Sequence, residues 1–501
     1  MLISKTTFQH YTHCPKDVWL KLYKPELHAK FILSEFELHI MEQGNEVESC
    51  ARSLFVGGIE VASQGEHAVA ETQRLMTQLV PTIFQATFIA DDFIVRNDML
   101  KYNVESGRWD LYEVKGTNSL KLGKNENNHV SDLAFQVSVM RRAHVPLGRY
   151  YLVHLNKEYV RFGDIEMESL FTVEDMTDAV EVKLLEIEIK MEVAREYLHQ
   201  TKEPVGSCEC VYASRRNHCS TFSYTNPHIP AYSVHDISRI HTKKLSRFID
   251  EKVYLLEDIR DPDEYKLSDK QKNQVLSHTH QRTIVDEAAI THELQALQYP
   301  LYFFDYEAYA PAIPAFDGYG PYKFIPFQFS LHILRELGGA LEHVEFLHEE
   351  FSDPSNMVAA SLQQHIKGGT VVVWYQNFEK QVNNNIGLRL PEHAAFFKQL
   401  NASIFDLYQI FFDQHYIHYG FKGSASIKKV LPVIAPELTY ADLEIHEGGQ
   451  ASSEWWRMVS PLTLPEEKKQ IAENLKKYCG RDTEAMYVIW KHLQETIIQV
   501  V

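Results

Sequence analysis

Acidic residues interrupt an apolar segment near the C-terminal end of the chain, and carboxylates in such a setting can bind metal ions. Asp305 and Glu307 lie within the aromatic run LYFFDYEAY, residues 301–309. Side chains two positions apart on a strand share one face, so we expect both carboxylates on the same side of a sheet. Burying two carboxylates costs free energy unless their charge is compensated, as a pair of divalent cations would do. A strand that ends in solvent is the alternative interpretation.

A second acidic motif, YCGRD, stands close to the end of the chain. Its Tyr478 and Asp482 are four residues apart, which places both side chains on one face of a helix. We interpret this pair as the partner of the carboxylates in LYFFDYEAY. The alternative is a pair of exposed side chains on a solvated helix face.

A comparable group of charged residues occurs in the N-terminal half. Asp98 lies on one predicted strand, and the triplet Glu113-Val114-Lys115 lies on the next. Glu113 and Lys115 share a face, and the turn between the strands can bring Asp98 beside them. Two carboxylates can bind a cation, while an adjacent lysine polarises water or offsets phosphate charge. Such triplets are also common in surface strands, which is the structural alternative.

The spacing of the cysteines predicts a third candidate site. Three late cysteines, Cys208, Cys210 and Cys219, form a C-x-C-x8-C cluster, and Cys14 stands alone near the start. In a reducing compartment, clustered spacing indicates metal binding rather than disulfides. Zinc accepts cysteine ligands. His13 and His218 flank the group and could substitute in a zinc site, whereas Cys50 and Cys479 are interpreted as ordinary buried thiols.

These residues need a mixed α/β framework to position them. Apolar runs predict strands at residues 83–90, 93–104, 111–116, 301–309, 326–334 and 371–376. Amphipathic patterns predict helices at residues 131–143, 182–200 and 472–494, with Ser131 as the N-cap of the first. A length of 501 residues favours two or three domains. We expect an N-terminal domain over residues 1–225, a helical connector over 226–295 and a C-terminal domain over 296–501.

The net charge of −18 argues against a protein that only coats nucleic acid, because such binding depends on neutralising phosphates. It is compatible with carboxylates that hold cations against a phosphate. Basic residues that could contact phosphate, or simply face solvent, are Lys121, Lys124, Arg141, Arg142, Arg215, Arg216, Lys243, Lys244, Lys422, Lys428 and Lys429. No run reaches the roughly 18 apolar residues of a membrane span, and the start lacks the apolar core of a signal peptide. We therefore expect a cytoplasmic protein without a membrane partner.

The C-terminal motifs resemble those of the DnaQ-like, or DEDD, exonucleases, which have a ribonuclease H-like fold. FFDYEAY matches the first motif, VVVWYQNFEKQ is similar to the second, and YCGRD matches the third in its Y-x-x-x-D form. SASIKKVLP is similar to the stretch before the last helices. The resemblance covers residues 299–495 and implies a 3′→5′ exonuclease that releases nucleoside 5′-monophosphates.

The same resemblance implies roles for individual residues. Two Mg²⁺ or Mn²⁺ ions would be bound by four carboxylates: Asp305, Glu307, Glu379 and Asp482. Tyr478 would orient the attacking water. The second motif usually supplies Asp where this sequence has Glu379, so Asp406 in IFDLYQ is the alternative carboxylate for that part of the site.

The N-terminal motif D…EVK, followed by a glutamine on a predicted helix, resembles the RecB-type branch of the PD-(D/E)XK nucleases over residues 1–225. The resemblance implies a catalytic set of Asp98, Glu113, Lys115 and Gln136, in which the two acids bind metal. Glu48 in GNEVE would be an extra metal ligand, and Met140 stands where the family usually has tyrosine. One early cysteine followed by three late ones resembles the iron–sulfur staple of the same nucleases. The resemblance implies a 4Fe–4S cluster with four ligands: Cys14, Cys208, Cys210 and Cys219. Zinc is the main alternative.

The whole chain resembles a little-characterised bacterial family that joins a RecB-type module to a DnaQ-like exonuclease. The implied activity is that of a hydrolase, a metal-dependent nuclease with two candidate sites, and we expect DNA rather than RNA as its partner. One alternative is an RNA-trimming exonuclease with an inactive N-terminal binding module, because the Y-x-x-x-D form also occurs in RNA-trimming enzymes. The other is a non-catalytic iron–sulfur protein that binds nucleic acid.

Overall fold

The computed structural model describes residues 1–27, 34–123 and 128–498, and these form two compact units. The N-terminal unit comprises the described residues of Met1–Val211, Asn217–His228 and Pro311–Tyr322. The C-terminal unit comprises Tyr212–Arg216, Ile229–Ala310 and the described residues from Lys323 on. Most of the region predicted as a connector therefore lies in the C-terminal unit. Lys124, one of the basic candidates, is outside the described residues.

The N-terminal unit is built around a mixed sheet of seven strands. Its strands are β1 (Ile3–Ser4), β2 (Gly58–Glu60), β3 (Thr82–Ala90), β4 (Phe93–Asn103), β5 (Arg108–Lys115), β6 (Leu147–Leu155) and β7 (Phe171–Asp175). Their order is β2-β3-β4-β5-β6-β7, with β1 paired to β4. β4 and β5 are antiparallel neighbours in the middle of the sheet, so residues at their ends can lie side by side.

Helices of the N-terminal unit are α1 (Lys5–His13), α2 (Pro15–Tyr23), α3 (Glu35–Arg52), α4 (Gly65–Thr77), α5 (His129–Arg142), α6 (Met167–Leu170), α7 (Thr177–Leu198) and α8 (Phe222–Thr225). α5 is buried along most of its length because it packs between the sheet and α7. The prediction of Ser131 as its N-cap was wrong. Asn128 is the N-cap, since its side-chain oxygen accepts the Ser131 N–H at 2.8 Å and so satisfies an unpaired amide of the first turn.

A mixed five-stranded sheet forms the centre of the C-terminal unit. The strands of this unit are β8 (Ile284–Val285), β9 (Leu301–Tyr309), β10 (Ile325–Leu334), β11 (Leu341–Leu347), β12 (Thr370–Val373), β13 (Ile404–Asp406) and β14 (Tyr416–Ile417). The order is β11-β10-β9-β12-β13, while β14 and β8 form a separate pair. β9 is antiparallel to β10 and parallel to β12. Its central place explains the nearly continuous apolar run in its sequence, because both of its faces are covered.

Helices of the C-terminal unit are α9 (Thr242–Asp250), α10 (Asp269–Thr279), α11 (Glu287–Gln295), α12 (Ser355–His365), α13 (Asn377–Arg389), α14 (Ala394–Ala402), α15 (Tyr408–Phe412), α16 (Ile427–Ile434), α17 (Gly448–Val459) and α18 (Pro465–Ile498). α18 packs against β9 and β10. The Thr483 hydroxyl on α18 lies 2.7 Å from Ser330 Oγ and 2.8 Å from His332 Nδ1 on β10. Because Thr483 follows Asp482, this contact fixes the rotation of α18 at the position of Asp482.

The mixed α/β character predicted from the sequence is confirmed, and β9 has the bounds of the predicted strand 301–309. The strand predicted at 371–376 ends earlier, at Val373. Tyr375 has a φ of 77°, which is outside the extended region and turns the chain into α13. Among the described residues, no helix combines the length and the apolar character needed to cross a membrane.

Candidate functional site

Asp305 and Glu307 share one side of β9, as their spacing predicts. One oxygen of each carboxylate and the Cys479 sulfur all lie within 4.8 Å of one another. Burial, the charge of Asp482 and the charge of Glu307 raise the pKa of Asp305 well above its usual range. Burial and the charge of Asp482 raise the pKa of Glu307 in the same way. The carboxylates therefore share a poorly solvated site in which like charges repel.

Asp482 and Tyr478 reach this site from α18. Burial raises the pKa of Asp482 to about 6, although hydrogen bonding from Tyr440 opposes the shift. The Tyr440 hydroxyl donates to Asp482 Oδ1 at 2.5 Å. Tyr440 lies between α16 and α17, and no motif in its local sequence singled it out. Its hydrogen bond holds one oxygen of Asp482 in a fixed position.

Glu379 approaches the same carboxylates from the first turn of α13. Its side chain is 1% exposed, and its Oε2 has no hydrogen-bond partner among the described residues. Burial raises the pKa of Glu379 to about 8, and the charge of Asp406 adds to the shift. The Glu379 charge also raises the pKa of Asp305, so the two groups are within electrostatic reach. Among the described residues, Glu379 and Asp482 do not belong to the group whose donor atoms all lie within 4.8 Å of one another. A buried carboxylate oxygen without a partner is costly, and a bound cation would compensate it.

Asp406 supports the site from β13. Its Oδ1 accepts the Tyr375 N–H at 2.9 Å, and its Oδ2 accepts the Gln376 N–H at 3.1 Å. Both oxygens therefore hold the short loop that leads into α13. This geometry favours Glu379 as the fourth carboxylate and makes Asp406 a positioning residue for the helix that carries it.

A single lysine lies beside the carboxylates in the described part of the site. Lys428 Nζ on α16 is 3.4 Å from the Tyr478 hydroxyl, and its charge lowers the pKa of the neighbouring carboxylates. The sequence indicated Lys428 only as one basic candidate among several. On α17, the start of the helix lies close to the carboxylates, since a Cβ at Gly448 would be in ordinary van der Waals contact with Glu307 Oε2 at 3.7 Å.

The donor set of this cluster fits Mg²⁺ or Mn²⁺. Both are hard cations that prefer carboxylate oxygens, and the cluster offers an unpartnered buried oxygen on Glu379. Burial raises the pKa of the Cys479 thiol well above its usual range, so this sulfur stays protonated and is a poor ligand. A divalent cation would offset the repulsion between the carboxylates.

In the N-terminal unit, two lysines surround one carboxylate. Lys115 Nζ lies 3.2 Å from Glu113 Oε1, and Lys5 Nζ on α1 lies 2.5 Å from the same oxygen. Burial alone would raise the pKa of Glu113. The charges of Lys5 and Lys115 outweigh this effect and lower the pKa to about 2. Glu113 Oε2 is buried and has no hydrogen-bond partner among the described residues. Sequence reasoning missed Lys5 because it lies in a different segment of the chain.

Helix α5 adds two polar residues to this group. Gln136 is 1% exposed, and its Oε1 accepts a hydrogen bond from Asn97 Nδ2 at 2.5 Å. Asp132, one turn earlier, binds Lys115 Nζ at 2.9 Å. Its position four residues before Gln136, on the same helix face, was the signal that could have identified it. α5 therefore supplies Lys115 with a second carboxylate partner.

Asp98 lies on β4 near these residues, and Glu48 is close enough to act on it electrostatically. Burial and the charges of Glu113 and Glu48 raise the pKa of Asp98 well above its usual range. Glu48 Oε1 accepts hydrogen bonds from Arg52 at 2.8 Å and from Gln85 at 2.6 Å. Within the described residues, these carboxylates do not form a group whose oxygens all lie within 4.8 Å of one another. Glu48 is thus within electrostatic reach of Asp98 but is engaged in an ion pair.

The four predicted cysteines come together in the N-terminal unit. Four sulfur atoms all lie within 4.8 Å of one another, those of Cys14, Cys208, Cys210 and Cys219. The Cys208 and Cys219 sulfurs are 3.6 Å apart. Hydrogen bonding from Cys14 lowers the pKa of the Cys208 and Cys210 thiols, which favours the thiolate that a metal requires. Hydrogen bonding to Cys208 and Cys210 raises the pKa of the Cys14 thiol, so the four sulfurs share their protons. This cluster can bind a metal.

The segment with the late cysteines is tied to α2. Asp17 Oδ1 on α2 accepts the Thr221 N–H at 3.0 Å and the Thr221 hydroxyl at 2.8 Å. The two flanking histidines do not belong to the group of four sulfurs, and His218 stacks on Phe222 with ring centroids 3.5 Å apart. Cysteine ligands alone therefore account for the cluster.

Several predicted phosphate contacts are engaged elsewhere. Arg142 and Arg215 each lie 2.8 Å from a carboxylate oxygen, and Arg141 is paired with Glu181. Such ion pairs reduce the charge that these residues could offer to a phosphate.

Residues 302–426 match the model of a family described as a domain of unknown function, DUF2779. No curated protein matches the chain. The matched region includes Asp305, Glu307 and Glu379 and ends before Asp482. The match thus spans all but the first residue of β9, the whole of α13 and the elements between them, and it includes three of the four converging carboxylates.

Proposed function

We propose that the C-terminal unit is a metal-dependent 3′→5′ exonuclease that hydrolyses phosphodiester bonds, with DNA as its substrate and nucleoside 5′-monophosphates as its products. The observation that carries this proposal is the convergence of carboxylates from β9, α13 and α18 in one buried site. Desolvation and repulsion raise their pKa values, and bound cations would reverse both effects. The sheet order, with three antiparallel strands followed by two parallel ones, is compatible with the predicted ribonuclease H-like class.

The residues that would hold Mg²⁺ or Mn²⁺ are Asp305, Glu307, Glu379 and Asp482. When bound, such ions activate water, hold the scissile phosphate and stabilise the leaving 3′-oxygen. Tyr440 keeps Asp482 in place through its hydroxyl. Tyr478 would orient the attacking water, and the Lys428 ammonium beside it would offset charge on the phosphate.

For the N-terminal unit, we propose a second nuclease site of the PD-(D/E)XK type. The buried, unpartnered Oε2 of Glu113 and the adjacent Lys115 support it. A specific observation favours the alternative, an inactive binding module. The Lys5 ammonium lies 2.5 Å from Glu113 Oε1, so a metal at this carboxylate would have to compete with that ion pair.

We further propose that the cysteine cluster binds a metal that links the start and the end of the N-terminal module. Four thiolates bound to one zinc ion at about 2.3 Å lie about 3.8 Å from one another. A 4Fe–4S cluster binds each thiolate through a different iron and keeps the sulfurs farther apart. Sulfurs within 4.8 Å of one another therefore support zinc over the cluster that the resemblance implies. Metal analysis of purified protein tests this, because brown protein with four iron atoms would restore the iron–sulfur assignment.

The nuclease proposal is tested with 5′-labelled single-stranded DNA, duplex DNA and RNA in Mg²⁺. We expect the wild type to produce a ladder of shortened strands. Asp305→Ala should lose this trimming by several orders of magnitude, because no side chain replaces a missing cation. Asp98→Ala should retain it.

Glu350→Ala is the matched control, because Glu350 is an exposed acid outside the cluster. Full trimming of every 3′ end by Asp305→Ala would refute the exonuclease. Trimming of RNA without any cleavage of DNA would replace the DNA substrate by RNA. Unchanged cleavage of every substrate by Asp98→Ala would make the N-terminal unit a binding module.

A further inference from the structure

A cleft of 840 Å³ opens in the C-terminal unit. Its basic lining residues are Arg239, Lys244, Lys270 and Lys422. Among the described residues, Arg239, Lys244 and Lys422 have no ion-pair partner. The lining acid, Asp236, is bound by Arg215 at 2.8 Å. The cleft is therefore positively charged, although the chain carries a net charge of −18.

One residue that lines this cleft is a buried glutamine whose amide is held by hydrogen bonds. Gln274 is 3% exposed, its Oε1 accepts the Ser238 N–H at 2.8 Å, and its Nε2 donates to the Tyr232 hydroxyl at 2.9 Å. Gly423 has a φ of 76°, and a Cβ there would lie 2.3 Å from Gln274. The positive φ and the close approach of the hydrogen-bonded Gln274 amide both favour glycine at this position, where the loop packs against the lining. The cleft is thus a preformed feature of the fold.

Three aromatic side chains, Tyr375, Tyr408 and Phe412, form a series beside the cleft. The ring centroids of Tyr375 and Tyr408 are 5.6 Å apart, and those of Tyr408 and Phe412 are 5.3 Å apart. Tyr375 is 50% exposed. The Arg239 guanidinium lies 4.8 Å from the centroid of Phe412. Three rings in series therefore lead to a cation.

This series begins next to the carboxylate cluster. The Tyr375 N–H is held by Asp406, and Glu379 follows four residues later. On the other side of the cleft, Ser426 belongs to the lining, and Lys428 two residues later contacts Tyr478. Both borders of the cleft thus continue directly into elements that carry the cluster.

We infer that the cleft and the aromatic series bind the single-stranded part of a nucleic acid whose 3′ end is hydrolysed at the carboxylates. Bases stack on aromatic rings whatever their sequence, and unpaired cations bind the phosphates between them. The inference deepens the proposed exonuclease and rests on it for the direction of the strand. An acidic peptide would use the cations but leave the rings without a role.

The test measures binding of a fluorescent oligo-dT to full-length Asp305→Ala protein by anisotropy, over a range of salt concentrations. In this background, Arg239→Gln, Lys244→Gln and Lys422→Gln are combined. Each phosphate contact on a single strand contributes about 0.7 to the salt slope, so the triple variant should lower the slope by about 2. Tyr408→Leu should weaken binding roughly tenfold, because it removes a stacking surface but keeps apolar bulk. Tyr408→Phe should bind as tightly as the parent protein.

The matched control combines Lys367→Gln, Lys398→Gln and Lys469→Gln, three exposed lysines of the same unit outside the cleft. It makes the same change in net charge and should leave the affinity and the slope unchanged. Equal losses in both triple variants would overturn the inference, as would no loss in the cleft variant. Equal affinity for an oligonucleotide of the same length without bases would also overturn it, since the rings would then have no function.

The outcome separates this inference from the proposed function. Loss of binding in the cleft variants, together with no hydrolysis by wild-type protein, would leave a single-strand site and refute the exonuclease. For kinetics, the cleft substitutions are made again with Asp305 intact. Hydrolysis by the wild type with unchanged kcat/KM in these active cleft variants would keep the exonuclease and refute the cleft as its strand-binding site. Thermal unfolding midpoints equal to that of the parent protein confirm that each variant is folded.

Discussion

Single buried carboxylates have opposite electrostatic surroundings in the two units. Glu113 has two lysines at one oxygen, and their charges lower its pKa to about 2. Glu379 has no cation at its buried oxygen, and burial raises its pKa to about 8. The C-terminal site therefore gains more from a bound cation than the N-terminal one, in which lysines already neutralise the carboxylate.

This contrast makes the stability of the metal-free protein depend on pH. An unfolded glutamate titrates at about pH 4.3, whereas the folded Glu379 has a pKa of about 8. The folded state holds this proton more tightly, so its contribution to stability is lost as the pH rises through that window. In EDTA at pH 9, Glu379→Gln should therefore raise the free energy of unfolding by about 1–3 kcal/mol, and at pH 4 the gain should vanish.

The measurement is chemical unfolding at both pH values, with Glu350→Gln as the exposed control. The same Glu379→Gln variant should lose Mg²⁺-dependent trimming, because the amide is a weaker ligand for a divalent cation than a carboxylate. A variant less stable than wild type at pH 9 in EDTA would contradict the electrostatic assignment.

Tyr440 offers a second test at the residue scale. Its hydroxyl donates a hydrogen bond to Asp482. This bond lowers the pKa of the Asp482 carboxyl, which burial raises to about 6. Tyr440→Phe should raise that pKa further, so the acidic limb of the pH–rate profile should move up by about 0.5 to 1 unit. Tyr487→Phe, a change on α18 outside the cluster, should leave the profile in place. An unshifted limb in Tyr440→Phe would remove Tyr440 from the site.

At the scale of elements, the turn between β12 and α13 determines where Glu379 points. Asp406 binds two successive backbone N–H groups of that turn. Glu379 and Asp406 can therefore be separated by experiment, although both are buried acids near the same helix. One would bind the cation, and the other holds the helix that carries it.

We expect Asp406→Asn to cost about 1 kcal/mol of stability, because an amide keeps one acceptor and loses the other. Its activity should fall less than that of Glu379→Ala. Mn²⁺ titration by calorimetry checks the distinction, since Asp406→Asn should keep the wild-type stoichiometry and Glu379→Ala should weaken or lose one ion. The reverse pattern would make Asp406 the ligand.

For the whole molecule, the two units have separate hydrophobic cores and hold different kinds of donor. The four sulfurs lie within the N-terminal unit, and the converging carboxylates lie within the C-terminal one. A ligand that binds only the folded state raises the stability of the unit that contains its site. The two units should therefore respond to different metals.

Calorimetry should resolve two unfolding transitions. Mg²⁺ should raise the midpoint temperature of one transition in wild-type protein and leave that midpoint unchanged in Asp305→Ala. A strong zinc chelator should lower the midpoint temperature of the other transition. Cys210→Ser should have the same effect, because structural metal binding contributes to folding free energy. Cys50→Ser, a change outside the cluster, is the control. A single transition moved equally by Mg²⁺ and by the chelator would contradict independent units.

Local patterns in the sequence correctly predicted the residues that depend on one element. The i, i+2 acids on β9 and the i, i+4 pair on α18 follow from the geometry of a strand and of a helix. The early-plus-late cysteines also come together as their spacing predicted. Such patterns report which face of its own element a side chain occupies.

The tertiary structure alone decided which elements meet. Lys5 contacts Glu113 across 108 positions of sequence, and Tyr440 contacts Asp482 across 42. Neither has a local signal, because periodicity describes one element and carries no information on its neighbours. The role of Asp406 and the basic cleft likewise result from packing between distant segments. The sequence by itself therefore determined the chemical groups of the candidate sites, while the packing of strands and helices determined their partners, their charge states and the path that leads to them.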